Sequence, residues 1–336
     1  MQQGNNKIEA TYFFRKPQPQ YFSIEKVFEL VIANLPDDIE LVVYKLKNGT
    51  NGWWGRIKAL FEAFRNRGTI NHITGDVTFL ALGLPRKGLV ITYHDLESLA
   101  EYSGWRFKLI KYLWVKLPVQ RAEVITVISE HTKQKIVEWT GVDKKKITVI
   151  PNPLPEEITY SPKPVMDSKP IILVVGTKKN KNVERIFEAL KDIDCKILLI
   201  GKMTTVQQEI IKRLNLEVEN LVHLPYNKIV DAYIRCDILC FPSLYEGFGM
   251  PIIEAQGTGR PVITSNFGAM KEVAGEGALL VDSYEIDKIK QAVEKLIKDT
   301  KLREELIKRG VINVERFFPK KIAFKYSEIY MNEVKV

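Results

Sequence analysis

Two carboxylates, Glu246 and Glu254, frame the densest chemical signal of the chain: Phe241-Pro242-Ser243-Leu244-Tyr245-Glu246-Gly247-Phe248-Gly249-Met250-Pro251-Ile252-Ile253-Glu254-Ala255. A carboxylate accepts paired hydrogen bonds from vicinal hydroxyls, so one Glu can hold a sugar and the other a ribose. Gly247 and Gly249 let the backbone approach a ligand closely. Pro251 reads as the first residue of a helix that ends at Gly257 or Gly259. The start of that helix offers N–H groups and partial positive charge to a diphosphate. Glu246 then lies on the loop and Glu254 about one turn into the helix, both toward one crevice. Glycine and proline also punctuate ordinary turns, and Glu near a helix start is ordinary capping. Their joint spacing directly after a strand favours the functional reading.

A second segment, Val174-Val175-Gly176-Thr177-Lys178-Lys179-Asn180-Lys181-Asn182-Val183-Glu184-Arg185, reads as strand, open turn and helix. Its lysines can neutralise a diphosphate leaving group; the bland alternative is a solvated lysine loop. Ile200-Gly201-Lys202 and Leu224-Pro225-Tyr226 are strand-end loops suited to a nucleobase, although any such domain has loops there. His94 follows the apolar run Val90–Tyr93, at the ligand-facing end of a strand. A lone His in that place is commonly structural, and His72, His131 and His223 are read so.

These residues need strands and helices to position them. The first half offers strands at Ile8–Phe14, Ile39–Leu46, Ile70–Ile73, Leu89–Tyr93, Val124–Ile128 and Ile147–Ile150. The second offers Ile171–Val175, Lys196–Ile200, Leu221–Leu224, Ile238–Phe241, Val262–Thr264 and Ala278–Val281. Helical patterns alternate with them, which indicates an α/β protein with parallel sheets covered on both faces. Residues 151–164 hold five prolines in fourteen positions and read as a semi-rigid connector. The expected layout is residues 1–155 for acceptor binding, 156–318 for donor binding, and a tail 319–336. Ile322, Tyr326, Ile329 and Tyr330 share one face of that tail helix, which is expected to pack back on the first domain.

Composition sets wider limits. The chain has 336 residues, 45% hydrophobic and 27% charged, enough for two cores. No apolar run reaches the roughly 18–20 residues of a membrane span, and Met1 to Glu9 has no apolar signal region, so the cytoplasm is the expected compartment. Three cysteines favour buried thiols over a disulfide framework or zinc site. Residues 1–155 hold 22 Lys and Arg against 15 Asp and Glu, the rest 28 against 26. The basic half suits a lipid phosphate, an anionic membrane or nucleic acid, or is simply a soluble surface. Two segments, Trp53 to Arg67 and Tyr102 to Lys116, interleave aromatic and basic residues. They read either as helices lying on an anionic membrane or around a lipid-linked acceptor, or as core stripes with solvated lysines opposite, the commoner case.

The run Glu246 to Glu254 resembles the Glu-x7-Glu signature of glycosyltransferase family 4, retaining enzymes of the GT-B fold, and residues 255–265 continue the match. The resemblance implies two Rossmann-like doubly wound domains facing across a cleft. It places Glu246 on the donor sugar, the backbone of Phe248 to Met250 on sugar and diphosphate, and Glu254 on the ribose. Lys181 matches the family's lysine. Thr177 stands where members often carry Arg, so Lys178 or Lys179 supplies that charge. His94-Asp95 resembles a His-Asp pair lining the reaction centre, with His94 donating to the sugar or positioning the acceptor. Val127 to Lys133 resembles a strand–Ser–x–x–Thr–Lys helix start, explained by Ser129 as N-cap. The implied catalytic groups are His94, Lys181 and Glu246. The implied donor site is Gly176, Thr177, Lys178, Lys181, Gly201, Lys202, Pro225, Tyr226, Glu246, Gly247, Phe248, Gly249, Met250, Pro251 and Glu254. Phe14 to Tyr21, with two prolines and two basic residues, replaces the family's N-terminal glycine loop.

The implied activity is retaining transfer of a hexosyl group from a UDP- or GDP-sugar, of mannose or glucose type, to a hydroxyl of a glycan or lipid-linked acceptor. Cell-surface polysaccharide or glycolipid synthesis is the expected context, on the inner membrane face if peripheral. No Asp-x-Asp motif follows a strand, so no metal and no cofactor is expected beyond the nucleotide-sugar. A front-face substitution fits better than double displacement, and no nucleic acid partner is expected. The alternatives are a phosphorylase or epimerase of the same fold, or a non-enzymatic basic binder of membrane or nucleic acid. A dinucleotide enzyme ranks below these, because no G-x-G-x-x-G follows a first strand.

Overall fold

Apolar runs buried on both sides become central parallel strands, because a strand covered on both faces carries no alternation. Leu89–Tyr93 is buried at all five positions. The computed structural model describes residues 7–16, 23–47, 52–96, 103–163 and 165–334. It contains two six-stranded sheets in which every pairing is parallel.

The first sheet consists of β1 (Ile8–Phe14), β2 (Ile39–Lys45), β3 (Ile70–Ile73), β4 (Leu89–Tyr93), β5 (Val124–Val127) and β6 (Ile147–Val149), in the order β2-β1-β3-β4-β5-β6. Its helices are α1 (Ser23–Ala33), α2 (Gly52–Arg65), α3 (Gly104–Ile110), α4 (Leu117–Arg121) and α5 (Glu130–Thr140). Ser129 caps α5, its hydroxyl accepting from Thr132 N at 3.1 Å. The second sheet consists of β7 (Ile171–Val175), β8 (Lys196–Ile200), β9 (Val218–Leu221), β10 (Ile238–Phe241), β11 (Val262–Ser265) and β12 (Ala278–Val281), in the order β12-β11-β10-β7-β8-β9. Around it lie α6 (Val183–Leu190), α7 (Thr205–Leu214), α8 (Tyr226–Arg235), α9 (Met250–Thr258), α10 (Gly268–Ala274), α11 (Ile286–Lys298) and α12 (Thr300–Val314). The last helix is α13 (Pro319–Val334).

Successive residues of β1 feed opposite cores: Phe13 packs with Ile73, Ile91 and Val127, while Tyr12 and Phe14 pack with Phe28 and Val90. Helix α13 closes the second of these cores with Ile322, Tyr326 and Tyr330. Tyr330 Oη meets Tyr12 Oη at 2.5 Å and His72 Nδ1 at 2.7 Å, so the buried hydroxyls are satisfied. The chain accordingly divides into one unit ending at Pro153 that takes back α13 from Pro319, and a second unit, Leu154–Phe318. Leu154 N donates to Phe317 O at 2.7 Å, which puts the boundary two residues before Pro155. Pro164 of the connector lies outside the described residues.

Three expectations are corrected. The run Leu221–Leu224 is not a strand; β9 is Val218–Leu221, in register with β8 from Ile197↔Val218 to Ile200↔Leu221. The chain then turns at His223, φ 55°. Leu46, Ile128 and Ile150 fall just past their strand ends, and Ser265 is added to β11. The aromatics of Trp53 to Arg67 are not a core stripe: Trp53, Trp54, Phe61 and Phe64 are exposed, and Ala59 and Ala63 face the core instead. Trp105 and Tyr112 are exposed as well, whereas Phe107 and Trp114 are partly buried. Tyr102 lies outside the described residues.

Candidate active site

In an open parallel sheet, ligands bind beyond the strand carboxyl ends where the strand order reverses. In the second sheet that point lies between β7 and β10. Gly176 follows β7, and Glu246 sits in the loop after β10, so the two sequence segments meet there. Leu244 N donates to Asn180 O at 2.7 Å, and Asn180 Nδ2 donates to Tyr245 O at 3.1 Å. Asn182, with φ 61°, donates from one amide to Pro242 O and Ser283 O, pinning both loops to the end of β12.

Lys181 Nζ donates to Glu246 Oε1 at 2.5 Å, joined by Asn180 Nδ2 at 3.2 Å. The side chains are 19% and 14% exposed. Lys181 Nζ also lies 4.8 Å from the centre of the Phe241 ring. Its stem crosses Gly176, where φ is 87° and a Cβ would come within 3.0 Å of Lys181 Cγ and Cε. Gly176 is therefore the space the lysine occupies. Both donors reach Oε1 of Glu246, and Oε2 has no partner among the described residues.

Helix α9 begins at Met250, one residue before Pro251, which takes the second helical position without loss because N–H groups of the first turn have no intrahelical acceptor. Gly249 caps it with φ 110°, and Gly259 ends it with φ 83°. Phe248 is buried edge-on against Phe317, 5.6 Å between centroids, which fixes the glycine loop from behind. Glu254 is buried and accepts from Tyr226 Oη at 2.7 Å and Tyr233 Oη at 2.6 Å. Burial, and then the charge of Glu254, push both phenols up, so both remain donors at neutral pH.

Gly201 and Lys202 follow β8, and Thr177 Oγ1 donates to Lys202 O at 2.6 Å, joining the ends of β7 and β8. Pro225 caps α8 and Tyr226 opens it. Lys178 and Lys179 are exposed and make no ion pair among the described residues. The structure thus gathers Gly176, Lys181, Glu246 and the α9 start at one point, with Glu254 and Tyr226 one helix turn away. Sequence reading missed Asn180, Asn182 and Tyr233. Tyr226 and Tyr233 are seven apart, two helical turns, and that spacing was the available signal for the second phenol.

In the first unit the order reverses between β1 and β3. Arg15, after β1, donates to Glu25 from Nε at 2.8 Å and Nη2 at 3.2 Å, and to Asp76 from Nη1 at 2.5 Å. The rest of the expected basic loop, Pro17 to Tyr21, lies outside the described residues. His94 Nε2 lies 2.8 Å from Thr74 O. A carbonyl only accepts, so Nε2 carries the proton and Nδ1 is left as an acceptor. Burial lowers the His94 pKa, keeping the ring neutral. The expected donation from His94 to a sugar is thus taken up by Thr74, and the group His94 offers is a base. Asp95 is exposed. His72, between Thr92 and Tyr330, is structural. The three thiols are free and buried. Among the described residues no group of three or more His, Cys, Asp or Glu is placed to hold a metal ion.

Comparison with known proteins places this geometry. Residues 157–311 match the family model described as glycosyl transferases group 1, and residues 11–157 match that of glycosyltransferase family 4. A serotype-specific mannosyltransferase of Escherichia coli is 25% identical over 222 residues, covering 59% of this chain and 27% of its own length. O-antigen chain mannosyltransferase B of Escherichia coli is 23% identical over 253 residues, 68% of this chain and 66% of its length. The chain thus spans between about a quarter and two thirds of these relatives. The capsular polysaccharide biosynthesis glycosyltransferase CapM of Staphylococcus aureus is 28% identical over 287 residues, 74% of this chain and 75% of its length. Sucrose-phosphate synthase from Thermosynechococcus elongatus superposes with a TM-score of 0.78 at 17% identity, over 97% of this chain and 99% of the other. HepE of Anabaena, solved with UDP and glucose, gives 0.75 at 17%, over 97% and 100%. The fold is that of the GT-B glycosyltransferases. With the two family matches, which run between them from residue 11 to residue 311, it supports a GT-B glycosyltransferase family for this chain.

Proposed function

We propose that the protein is a retaining hexosyltransferase that uses a UDP- or GDP-linked sugar of mannose or glucose type. The observation that carries the reading is the Lys181–Glu246 pair at the β7/β10 switch point, beside the start of α9. Glu246 Oε2 accepts from a sugar hydroxyl. Lys181 retains donors beyond the one given to Glu246, and these meet the diphosphate together with the N–H groups of the first α9 turn. Glu254, oriented by two phenols, accepts from the ribose hydroxyls. Gly201, Lys202 and Pro225 border the base.

In the reaction the bond from the anomeric carbon to the diphosphate oxygen breaks, and a bond from that carbon to the acceptor oxygen forms on the same face. The acceptor proton leaves with the diphosphate. Charge on the leaving group is met by Lys181 and the helix start, with no cofactor and no metal ion in any step. The acceptor is a glycan or lipid-linked glycan handled by the first unit, where the Nδ1 acceptor of His94 orients its hydroxyl. Polysaccharide or glycolipid assembly is the setting, supported by the O-antigen and capsular relatives. Three free buried thiols suit a reducing compartment such as the cytoplasm.

A thermal-shift screen of UDP, GDP and ADP, then of their hexose conjugates, tests this. One of UDP or GDP raises the unfolding midpoint of the wild type, because a ligand of the native state stabilises it. No shift with any of them at millimolar concentration overturns the proposal.

A further inference from the structure

Helix α2 carries five large apolar side chains in solvent: Trp53 at 64%, Trp54 at 78%, Ile57 at 40%, Phe61 at 65% and Phe64 at 46% exposure. At roughly 100° per residue these five fall within one arc of about 100° on the helix. Ala59 and Ala63, the buried positions, lie on another side. Lys58 and Arg65 sit at the margin of the apolar arc, where long side chains can lift their charges while the rings sink. A helix whose small residues face the core and whose Trp and Phe face water is inverted relative to a core-packing helix.

The segment from Gly104 to Lys116 adds a second such face, with Trp105 at 70%, Leu109 at 41% and Tyr112 at 46% exposure. Arg56 joins the two: its guanidinium carbon lies 5.9 Å from the centre of Trp53 and 4.5 Å from that of Trp114. The face is therefore one surface of the first unit rather than two separate helices. Over residues 52–67 and 104–116 there are eight Lys and Arg against Glu62 alone. Glu62 is engaged by Tyr44 Oη at 2.9 Å and Lys47 N at 2.6 Å. Arg67 lies over Phe64 and Arg106 over Trp105, so cations and rings are held side by side.

From this juxtaposition we propose that α2 and the Gly104–Lys116 segment form a docking surface for an anionic lipid bilayer. Tryptophan and phenylalanine enter the headgroup boundary, and the lysines and arginines pair with lipid phosphates. An acidic protein groove or nucleic acid matches the charge but not three tryptophans left in water. No helix among the described residues is long and apolar enough to cross a membrane, so the contact is with the surface.

The test is co-sedimentation of the full chain with phosphatidylcholine vesicles, with and without phosphatidylglycerol, while tryptophan emission is recorded. The wild type sediments with the phosphatidylglycerol vesicles, its emission shifts to the blue, and both effects fade in high salt. Trp53→Ser/Trp54→Ser/Phe61→Ser lowers the partition constant at least about tenfold. Lys58→Glu/Arg65→Glu lowers it as well, and serves if the first variant does not fold. Nucleotide-induced thermal shifts stay as in the wild type, which separates this surface from the donor reading. A wild type that remains in solution with phosphatidylglycerol vesicles overturns the proposal. So does a folded triple variant that binds like the wild type, or a surface whose substitution abolishes only self-association or DNA binding.

Discussion

Replacing Lys181 by Met keeps the aliphatic stem that crosses Gly176 and removes only the ammonium. Glu246 then keeps the longer bond from Asn180 Nδ2, 3.2 Å, and loses its ion-pair partner. An exposed pair is worth at most ~1 kcal/mol, whereas stripping one partner from a fully buried pair costs ~3–5 kcal/mol. With side chains 19% and 14% exposed, this pair lies between, and we expect a loss of about 2 kcal/mol. For a unit of this size that lowers the melting midpoint by roughly 4–8 °C. Turnover is a separate quantity. Removing one preorganised donor from a developing charge costs ~3–4 kcal/mol, so kcat/KM with the best donor should fall about 10²–10³-fold. The double variant Lys181→Met/Glu246→Gln removes the unpaired charge and recovers most of the midpoint, but none of the turnover. Melting curves and initial rates on the wild type and the variants measure both. A single variant within threefold of wild-type kcat/KM refutes the leaving-group role. A double variant that regains turnover with stability shows that the single variant failed through the stranded Glu246 charge and not through a missing leaving-group partner.

Tyr233→Phe removes the 2.6 Å bond to Glu254 Oε2 and keeps the one from Tyr226; stability falls by about 1–2 kcal/mol, and KM for the donor rises while kcat is largely kept, as steady-state kinetics will show. Gly277→Ala puts a Cβ 2.5 Å from Gly310 Cα, a backbone contact with no room to yield, and should cost about 3 kcal/mol in denaturant unfolding. Gly141→Ala, with open space and φ 72°, should cost only about 1–2 kcal/mol. His72 is fully buried, and burial holds its pKa down to about 3 against an ordinary 6.5. The unfolded chain therefore takes up a proton that the folded one refuses, so this stability is complete above pH 6.5 and drains as pH falls toward 3. In urea titrations between pH 7 and 4 the wild type should lose about 1.4 kcal/mol per pH unit more than His72→Asn once below pH 6. His94, also lowered by burial, adds a dependence of the same sign to both proteins.

The strands legible in the sequence were those whose environment writes itself into composition. Leu89–Tyr93 and Ile238–Phe241 are sealed on both faces, and only apolar side chains can stand there. Strand β9 misled because Val218-Glu219-Asn220-Leu221 is an edge, half buried along its length; its place is set by backbone pairing with β8, which leaves little mark on residue type. At the site, Glu246, Gly249, Pro251 and Glu254 were visible because a loop and one helix keep them together in sequence. Tyr233, Asn180 and Asn182 were not, since their roles come from packing of α8 on α9 and from loops 60 or more residues apart. Of the two roles open to His94, donation to a sugar is the one the sequence could not exclude, because its Nε2 proton goes to a carbonyl twenty residues earlier. The aromatics of α2 went astray because the spacing of an apolar stripe is the same whether it faces a core or water.

One further consequence concerns the order in which the molecule can be finished on a ribosome. Tyr12 and His72 obtain their buried partner from Tyr330, 318 and 258 residues downstream. While Leu154–Phe318 is being made, the face built on Tyr12, Phe28 and Val90 has yet to receive the helix that covers it. The second unit is continuous and waits for nothing translated later. Vectorial synthesis thus cannot complete the domains in strict N-terminal-first order: the domain made first must be sheltered until its closing helix emerges.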